Sequence, residues 1–157
     1  MEYVKYTEHM LLCSVLLLMM YISCSDFNYR IISNKSVMCV FFVAILIGFR
    51  HFSFEYFISL FFLYLSLLVV YYFKVLGGGD IKLMAALSLA IPSSLWLSTY
   101  IMVMIFGGFL ALIYLTIHLI DKRFGLGLIK LKGIPYGIAI SCGFFIFIMK
   151  YIYLGEM

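Results

Sequence analysis

The chain has 157 residues, of which 66% are hydrophobic and only 11% are charged, and its mean hydropathy is +1.17. Because soluble domains average about 45–50% apolar residues, this composition excludes a soluble globular domain and indicates an integral membrane protein embedded in the lipid bilayer. The formal charge of +4 is spread singly or in pairs between apolar runs, so no nucleic-acid-binding surface is expected.

Six apolar segments follow one another along the chain, and a helix that crosses a membrane needs roughly 17–25 mostly apolar residues. The predicted spans are residues 10–24, 37–49, 54–73, 81–92, 95–120 and 134–154, of which the second and fourth are short. We therefore expect an all-α, polytopic membrane protein with about six transmembrane helices. Residues 1–157 are predicted to form a single membrane-embedded domain.

The N-terminal segment is predicted to be a retained first span, because Glu2 and Glu8 accompany a single Lys5 where a signal peptide has a basic region. None of the four cysteines forms a C-x-x-C pair, so neither a zinc site nor a disulfide framework is expected. Buried free thiols are predicted instead, with no metal and no cofactor.

The basic residues predict the orientation of the chain, since short cytoplasmic loops carry an excess of Lys and Arg. The loops after the first, third and fifth spans hold Arg30, Lys35, Lys74, Lys82, Lys122, Arg123, Lys130 and Lys132. The opposite side holds Lys5, Arg50 and Lys150. Both termini are therefore predicted on the extracytoplasmic side.

This orientation places all three aspartates at cytoplasmic ends of spans. Asp121 lies beside two basic residues in the longest hydrophilic loop, where a solvated, ion-paired residue explains it. Asp26 closes the first span and Asp80 opens the fourth, and an ionisable group at membrane depth indicates a functional site. Helix capping is the alternative for each, weaker for Asp26 because the C-terminal end of a helix disfavours an anion.

Three glycines, Gly77, Gly78 and Gly79, precede Asp80 in the stretch "LGGGDIKL". Glycine permits positive φ and lets another backbone approach closely. We interpret the stretch as bare main chain along which an extended peptide can lie, with a flexible hinge between spans as the alternative.

Two aspartates at one membrane face indicate an aspartyl protease. Two neighbouring carboxyls share a proton, so that the ionised one activates water and the protonated one donates to the scissile carbonyl. The two titrate as a coupled pair, and neither is assigned as the fixed acid or base. The sequence contains no H-E-x-x-H and no G-x-S-x-G, so metal and serine mechanisms lack their residues.

Three motifs in this order resemble the type IV prepilin peptidases, a family of GxGD aspartyl peptidases, over roughly residues 10–143. "GGGDIKL" resembles the family's G-x-G-D-x-K-L stretch. "DFNYRIISN" resembles its first-aspartate segment, with Ile32 and Asn34 at matching distances and Ser33 in place of a proline. "GIPYGIAISCG" resembles its Pro-Tyr/Phe-Gly-Pro-Ala-Ile stretch, with Ile138 where a second proline is common.

The resemblance implies a multi-pass inner-membrane endopeptidase that cuts the basic leader from type IV prepilins or pseudopilins at the cytoplasmic face, as in pilus assembly and protein secretion. Asp26 and Asp80 then match the catalytic pair, and Gly77, Gly78 and Gly79 match the approach to the second aspartate. The remaining motif positions, which bind substrate or support the motifs, are Asn34, Lys82, Pro135 and Gly137. A lysine at position 82 would favour ionised Asp80 if it turned toward it, and a snorkelling interfacial lysine is the alternative.

The chain lacks the cysteine-rich N-terminal insert of larger family members. It is therefore similar to the small, peptidase-only form, as in Tad-type prepilin or archaeal preflagellin peptidases, and is not expected to methylate its product. The oligomeric state is not predicted.

Two rival interpretations stay open. A protease of the presenilin or signal-peptide-peptidase type is similar around Asp80, but such enzymes carry a Tyr-Asp pair and a late Pro-Ala-Leu motif, whereas this chain has Ser25 before Asp26. A non-enzymatic small transporter or assembly subunit would use Asp80 as an ion or proton site.

Overall fold

The computed structural model of the protein describes residues 2–124 and 133–154, and these residues form helices without any strand. The elements are α1 (Glu2–Tyr29), α2 (Asn34–Gly48) with a 3₁₀ turn (Phe49–His51), α3 (Phe54–Tyr72), α4 (Gly78–Ser88), α5 (Ser93–Phe124) and α6 (Tyr136–Leu154). The all-α prediction is confirmed, and each of the six predicted spans corresponds to one helix.

The fourth helix is short, as its predicted span of residues 81–92 already was. Five helices are long and apolar enough to cross a membrane: His9–Tyr29, Asn34–His51, Phe54–Tyr72, Ser93–Phe124 and Tyr136–Tyr153. The fourth, α4, has 11 residues and reaches about 16 Å at 1.5 Å per residue, about half of a 30 Å hydrocarbon layer. Helix α4 therefore begins at the end of the bundle where Lys82 lies and ends inside it, at the buried Ser88.

A helix that ends inside a membrane leaves carbonyl groups without donors, which is costly where water is absent. Side chains from α3 and α5 supply these donors to the C-terminal part of α4. The bonds run from Tyr64 Oη to Ala85 O (3.0 Å), from Tyr56 Oη to Ser88 O (3.0 Å) and Ile91 O (3.3 Å), and from Trp96 Nε1 to Ser88 O (3.1 Å). The short helix is thus capped by aromatic residues of its neighbours.

The Tyr56→Phe substitution is expected to lower the free energy of unfolding by about 1–3 kcal/mol, the cost of a buried polar group without its partner. Tyr56 is 4% exposed, and its loss leaves Ile91 O without this donor, whereas Ser88 O keeps Trp96. Unfolding by titration with a denaturing detergent measures the difference. Tyr72→Phe, the same change at an exposed position on α3, is the control, and equal losses for both variants would contradict the capping role.

Two sets of contacts define the two ends of the bundle. At one end, Lys82 at the start of α4 meets Asn34 at the start of α2. At the other end, Tyr153 Oη lies 3.3 Å from His9 Nδ1, so the outer ends of α1 and α6 lie together. This arrangement agrees with both termini on one side of the membrane. Which side they face stays a prediction, and two of the basic residues that support it, Lys130 and Lys132, lie outside the described residues.

Two details of the sequence prediction are wrong. Helix α5 continues to Phe124, so Asp121 lies on a helix and not in a loop. All four cysteines are exposed on the outside of the bundle, where buried thiols were predicted. The reason is that lipid-facing and core-facing positions are equally apolar in a membrane protein, so hydropathy does not separate them.

Candidate active site

Asp26 lies in the last turn of α1 and is held by the start of α6. Its side chain is 7% exposed, and its Oδ2 accepts a 2.7 Å hydrogen bond from the backbone N–H of Gly137. Gly137 is the second residue of α6, so the carboxylate sits at the positive end of that helix dipole. The C-terminal end of α1 disfavours the negative charge of Asp26, and the positive end of the α6 dipole offsets this unfavourable interaction.

This contact requires glycine at position 137. A Cβ atom there would lie 2.8 Å from Asp26 Oδ2 and 3.1 Å from Asp26 Cβ, closer than real Cβ contacts come. The buried Pro135 stands immediately before α6 and precedes this N–H by two residues. The motif positions Pro135 and Gly137 therefore lie where Asp26 is bound. Sequence analysis also assigned Gly137 a place in a motif but did not pair it with Asp26.

Asp80 is the third residue of α4 and binds back to the residue before the helix. Its Oδ2 accepts a 3.2 Å hydrogen bond from the backbone N–H of Gly77, as an acidic residue at this position does in a capping box. Both carboxylates therefore accept main-chain N–H groups at helix N-termini, and Oδ1 of each makes no hydrogen bond within residues 2–124 and 133–154. These two oxygens are available to water or to a ligand.

The glycines before Asp80 serve close packing and not an unusual backbone. Among the described glycines only Gly133 has positive φ, so Gly77, Gly78 and Gly79 do not use the positive φ that glycine permits. A Cβ at Gly77 would lie 2.9 Å from Asp80 Oδ2, and one at Gly79 would lie 3.1 Å from Ile32 Cβ. A Cβ at Gly78 would lie 3.3 Å from the ring of Tyr71.

The two carboxyls interact electrostatically. Asp80 lies outside the five candidate spans, and burial, followed by the negative charge of Asp26, raises the pKa of Asp80 to about 6, against the lowering effect of the Gly77 N–H. Repulsion between neighbouring carboxylates has this sign, because it disfavours the doubly ionised pair. The first helix and the fourth thus bring together the two aspartates that the sequence singled out.

The connection between α1 and α2 holds the pair in place. Ile32 packs against Gly79, and Asn34 Oδ1 accepts a 3.1 Å hydrogen bond from Lys82 Nζ. The side chain of Lys82 thus turns toward Asn34, and Lys82 is not among the causes of the raised pKa of Asp80. Ser33, in the place of a proline, caps α2 by accepting a 3.1 Å bond from the Ser36 N–H, which supplies a defined helix start by another route.

Sequence analysis missed the role of Arg30. This residue has φ of 57° and its N–H donates to Asp26 O at 3.0 Å, which ends α1 in a left-handed cap. Its Nη2 donates to Tyr114 Oη on α5 at 2.8 Å, and its charge acts on Asp26. Nη1 is buried without a hydrogen-bond partner among the described residues. The spacing of four residues from Asp26 was the available signal, but the pairing with Tyr114 spans 84 positions.

No group of three or more metal-binding side chains occurs within the described ranges. The site is therefore defined by two acidic side chains, main-chain N–H groups and one guanidinium, at one end of a bundle of apolar helices. These features define a polytopic helical membrane protein with a paired-carboxylate site.

The chain matches the type IV leader peptidase family over residues 11–115, which is more than half of its length. The protein therefore belongs to this family of peptidases, as the resemblance of its motifs predicted. The matched segment contains Asp26, Asn34, Asp80 and Lys82 and ends before Gly137. No curated protein and no solved structure matches the chain.

Proposed function

We propose that the protein is an intramembrane aspartyl endopeptidase that removes the basic leader from type IV prepilins or pilin-like proteins at the cytoplasmic face of the inner membrane. The observation that supports the proposal is that Asp26 and Asp80 are each held through Oδ2 by a main-chain N–H at the same end of the bundle, where the charge of Asp26 acts on Asp80. Membership in a leader peptidase family supports the substrate class.

The proposed reaction uses the pair to activate one water molecule. The ionised carboxylate accepts a proton from water as the water oxygen bonds to the scissile carbonyl carbon, and the protonated carboxyl donates its proton to the carbonyl oxygen. The intermediate collapses with cleavage of the C–N bond: the amine leaves with the proton that the pair took from water, and a hydroxyl of the intermediate returns its proton to the pair as the carbonyl re-forms. The main-chain bonds from Gly137 and Gly77 fix one oxygen of each carboxyl, so little reorganisation is needed during the reaction.

The membrane arrangement supports the choice of substrate. A prepilin has an apolar helix preceded by a basic leader, so its cleavage site lies where hydrocarbon meets water. Asp26 and Asp80 lie at the end of the bundle that carries Arg30, Lys35, Lys74 and Lys82, the end predicted to face the cytoplasm. We propose no cofactor and no metal for this reaction.

The purified protein in lipid vesicles, incubated with a prepilin-like protein that carries a basic leader ending in glycine, tests the proposal. Mass spectrometry of the products is expected to locate one cut at the leader boundary. Intact substrate after prolonged incubation with a folded protein, or cuts scattered along the chain, would contradict it.

The cleavage rate is expected to fall as pH rises through about 6. The raised pKa of Asp80 means that its carboxyl keeps a proton to higher pH than an ordinary aspartate does, and the reaction needs one proton on the pair. Above this pH both carboxyls ionise and no proton donor remains. The dependence of kcat on pH measures this limb, and a kcat that stays constant or rises with pH from about 5 to 8 would contradict the shared-proton mechanism.

A further inference from the structure

An apolar groove lies between α3 and α5. It has a volume of about 430 Å³ and is lined by side chains of α3, α4, α5 and α6, among them Leu63, Val70, Leu76, Met104, Gly108 and Tyr136. Helix α3 packs mainly against α4, and α5 packs mainly against α6, which leaves a channel between them.

Two hydroxyl groups in the groove wall, those of Ser66 and Tyr100, are already bound to the protein. Ser66 Oγ donates to Leu63 O at 2.7 Å, and Tyr100 Oη lies 2.6 Å from Ser88 Oγ. The wall therefore presents carbon atoms and few available polar groups, which favours an apolar occupant.

One end of the groove is formed by residues next in sequence to the glycines that bind the two carboxylates. Leu76 directly precedes Gly77, which binds Asp80, and Tyr136 directly precedes Gly137, which binds Asp26. From this end the groove follows α5 from Gly108 to Tyr100, a distance of about 12 Å at 1.5 Å per residue. This length equals about two turns of a bound helix, and the volume accommodates side chains from one face of it.

We propose that this groove binds the apolar helix of the substrate directly after the scissile bond, so that the first two turns of that helix lie between α3 and α5. The inference rests on the proposed function and names the docking surface for it. The substrate is cut between Asp26 and Asp80, and its apolar helix begins directly after the cut. Within one or two residues of the scissile bond, the substrate must therefore enter an apolar environment. The groove is an apolar surface whose lining residues Leu76 and Tyr136 are joined directly to the glycines that bind the two carboxylates.

Photo-crosslinking tests this placement without depending on turnover. A benzoylphenylalanine is placed at position 104, which is in the groove, or at position 105, which is 59% exposed on another face of α5. Both proteins also carry Asp80→Asn, so that the prepilin-like substrate stays intact in the vesicles. We expect an adduct with the first two turns of the substrate helix from position 104 and little or none from position 105.

A substitution that fills the groove provides the kinetic test. A Cβ at Gly108 meets nothing within 4 Å, so the side chain of Gly108→Leu starts in open space and extends from a residue that lines the groove. We expect KM to rise by about 10-fold or more at unchanged kcat, because the change removes binding and leaves the chemistry intact. Ser98→Leu, at an exposed position on α5 that does not line the groove, is the matched control and should leave both constants unchanged.

The outcomes separate this inference from the proposed function. Equal adducts from both positions, adducts with lipid alone, or an unchanged KM for Gly108→Leu in an enzyme that cleaves its substrate would overturn the groove and leave the peptidase in place. A wild-type protein that cleaves nothing would overturn the proposed function, and an adduct confined to position 104 would then still support the groove.

Discussion

Replacing Asp80 with asparagine is expected to abolish leader cleavage and to leave the fold intact. The amide oxygen of asparagine still accepts the Gly77 N–H, so the start of α4 keeps its capping bond. The side chain can no longer gain or lose the proton that the reaction transfers, and a loss of at least about 10²-fold in kcat is expected from general acid–base catalysis. Asp26→Asn should have the same effect, since its amide oxygen can accept the Gly137 N–H.

Asp121→Asn makes the same chemical change at the third aspartate and should retain full activity.

Asp80→Glu distinguishes a peptidase site from an ion or proton site. Glutamate keeps the charge but displaces the carboxyl by about 1 Å, which is enough to cost about 10²-fold when groups must be aligned. Cleavage by Asp80→Asn at the wild-type rate would exclude Asp80 from the chemistry. Retention of function by Asp80→Glu with loss in Asp80→Asn would favour the ion site.

Gly137→Ala is expected to reduce cleavage by about 10²-fold, although position 137 lies outside the segment that matches the family. The added methyl group would lie 2.8 Å from Asp26 Oδ2, so either the carboxylate or the start of α6 must move, and the 2.7 Å bond is lost. Alanine is favoured over glycine within a helix by roughly 0.5–1 kcal/mol, which offsets only part of the about 1.5–3 kcal/mol lost with a buried bond to a carboxylate, so the variant should fold but unfold at a lower temperature. The kcat of the purified variant in vesicles measures the effect.

Ser141→Ala is the matched control for this variant, since it places an alanine one turn further along α6. Ser141 Oγ is buried and has no hydrogen-bond partner among the described residues, so its removal should leave cleavage unchanged. If Gly137→Ala cleaves as fast as this control, the Gly137 N–H does not position Asp26.

The helices, and the position of the two aspartates at helix ends, could be predicted from the sequence for clear physical reasons. Each apolar run ends at charged residues, glycine or proline, which mark where a helix leaves the apolar layer. The capping alternative was also partly correct. Asp80 accepts the N–H of Gly77, directly before its own helix, as a cap does. Asp26 lies at the end of α1, where a cap was thought less favourable, but it caps the start of a different helix, α6.

The contacts that complete the site could not be predicted from the sequence. The bond between Asp26 and Gly137 joins residues 111 positions apart, and no local pattern pairs them. Hydropathy also could not show that tyrosines of a neighbouring helix bind the carbonyl groups at the end of the short helix α4. The exposure of the cysteines was missed because every face of these helices is apolar.

An experimental structure of the protein in lipid, at a resolution that shows ordered water, would test the central claim most directly through the position of water between Asp26 and Asp80. We predict one water molecule within hydrogen-bond distance of both carboxyls, about 2.5–3.0 Å from an oxygen of each. Carboxyls that bind separate waters, too far apart for one molecule to bridge them both with and without a bound leader peptide, would contradict the claim.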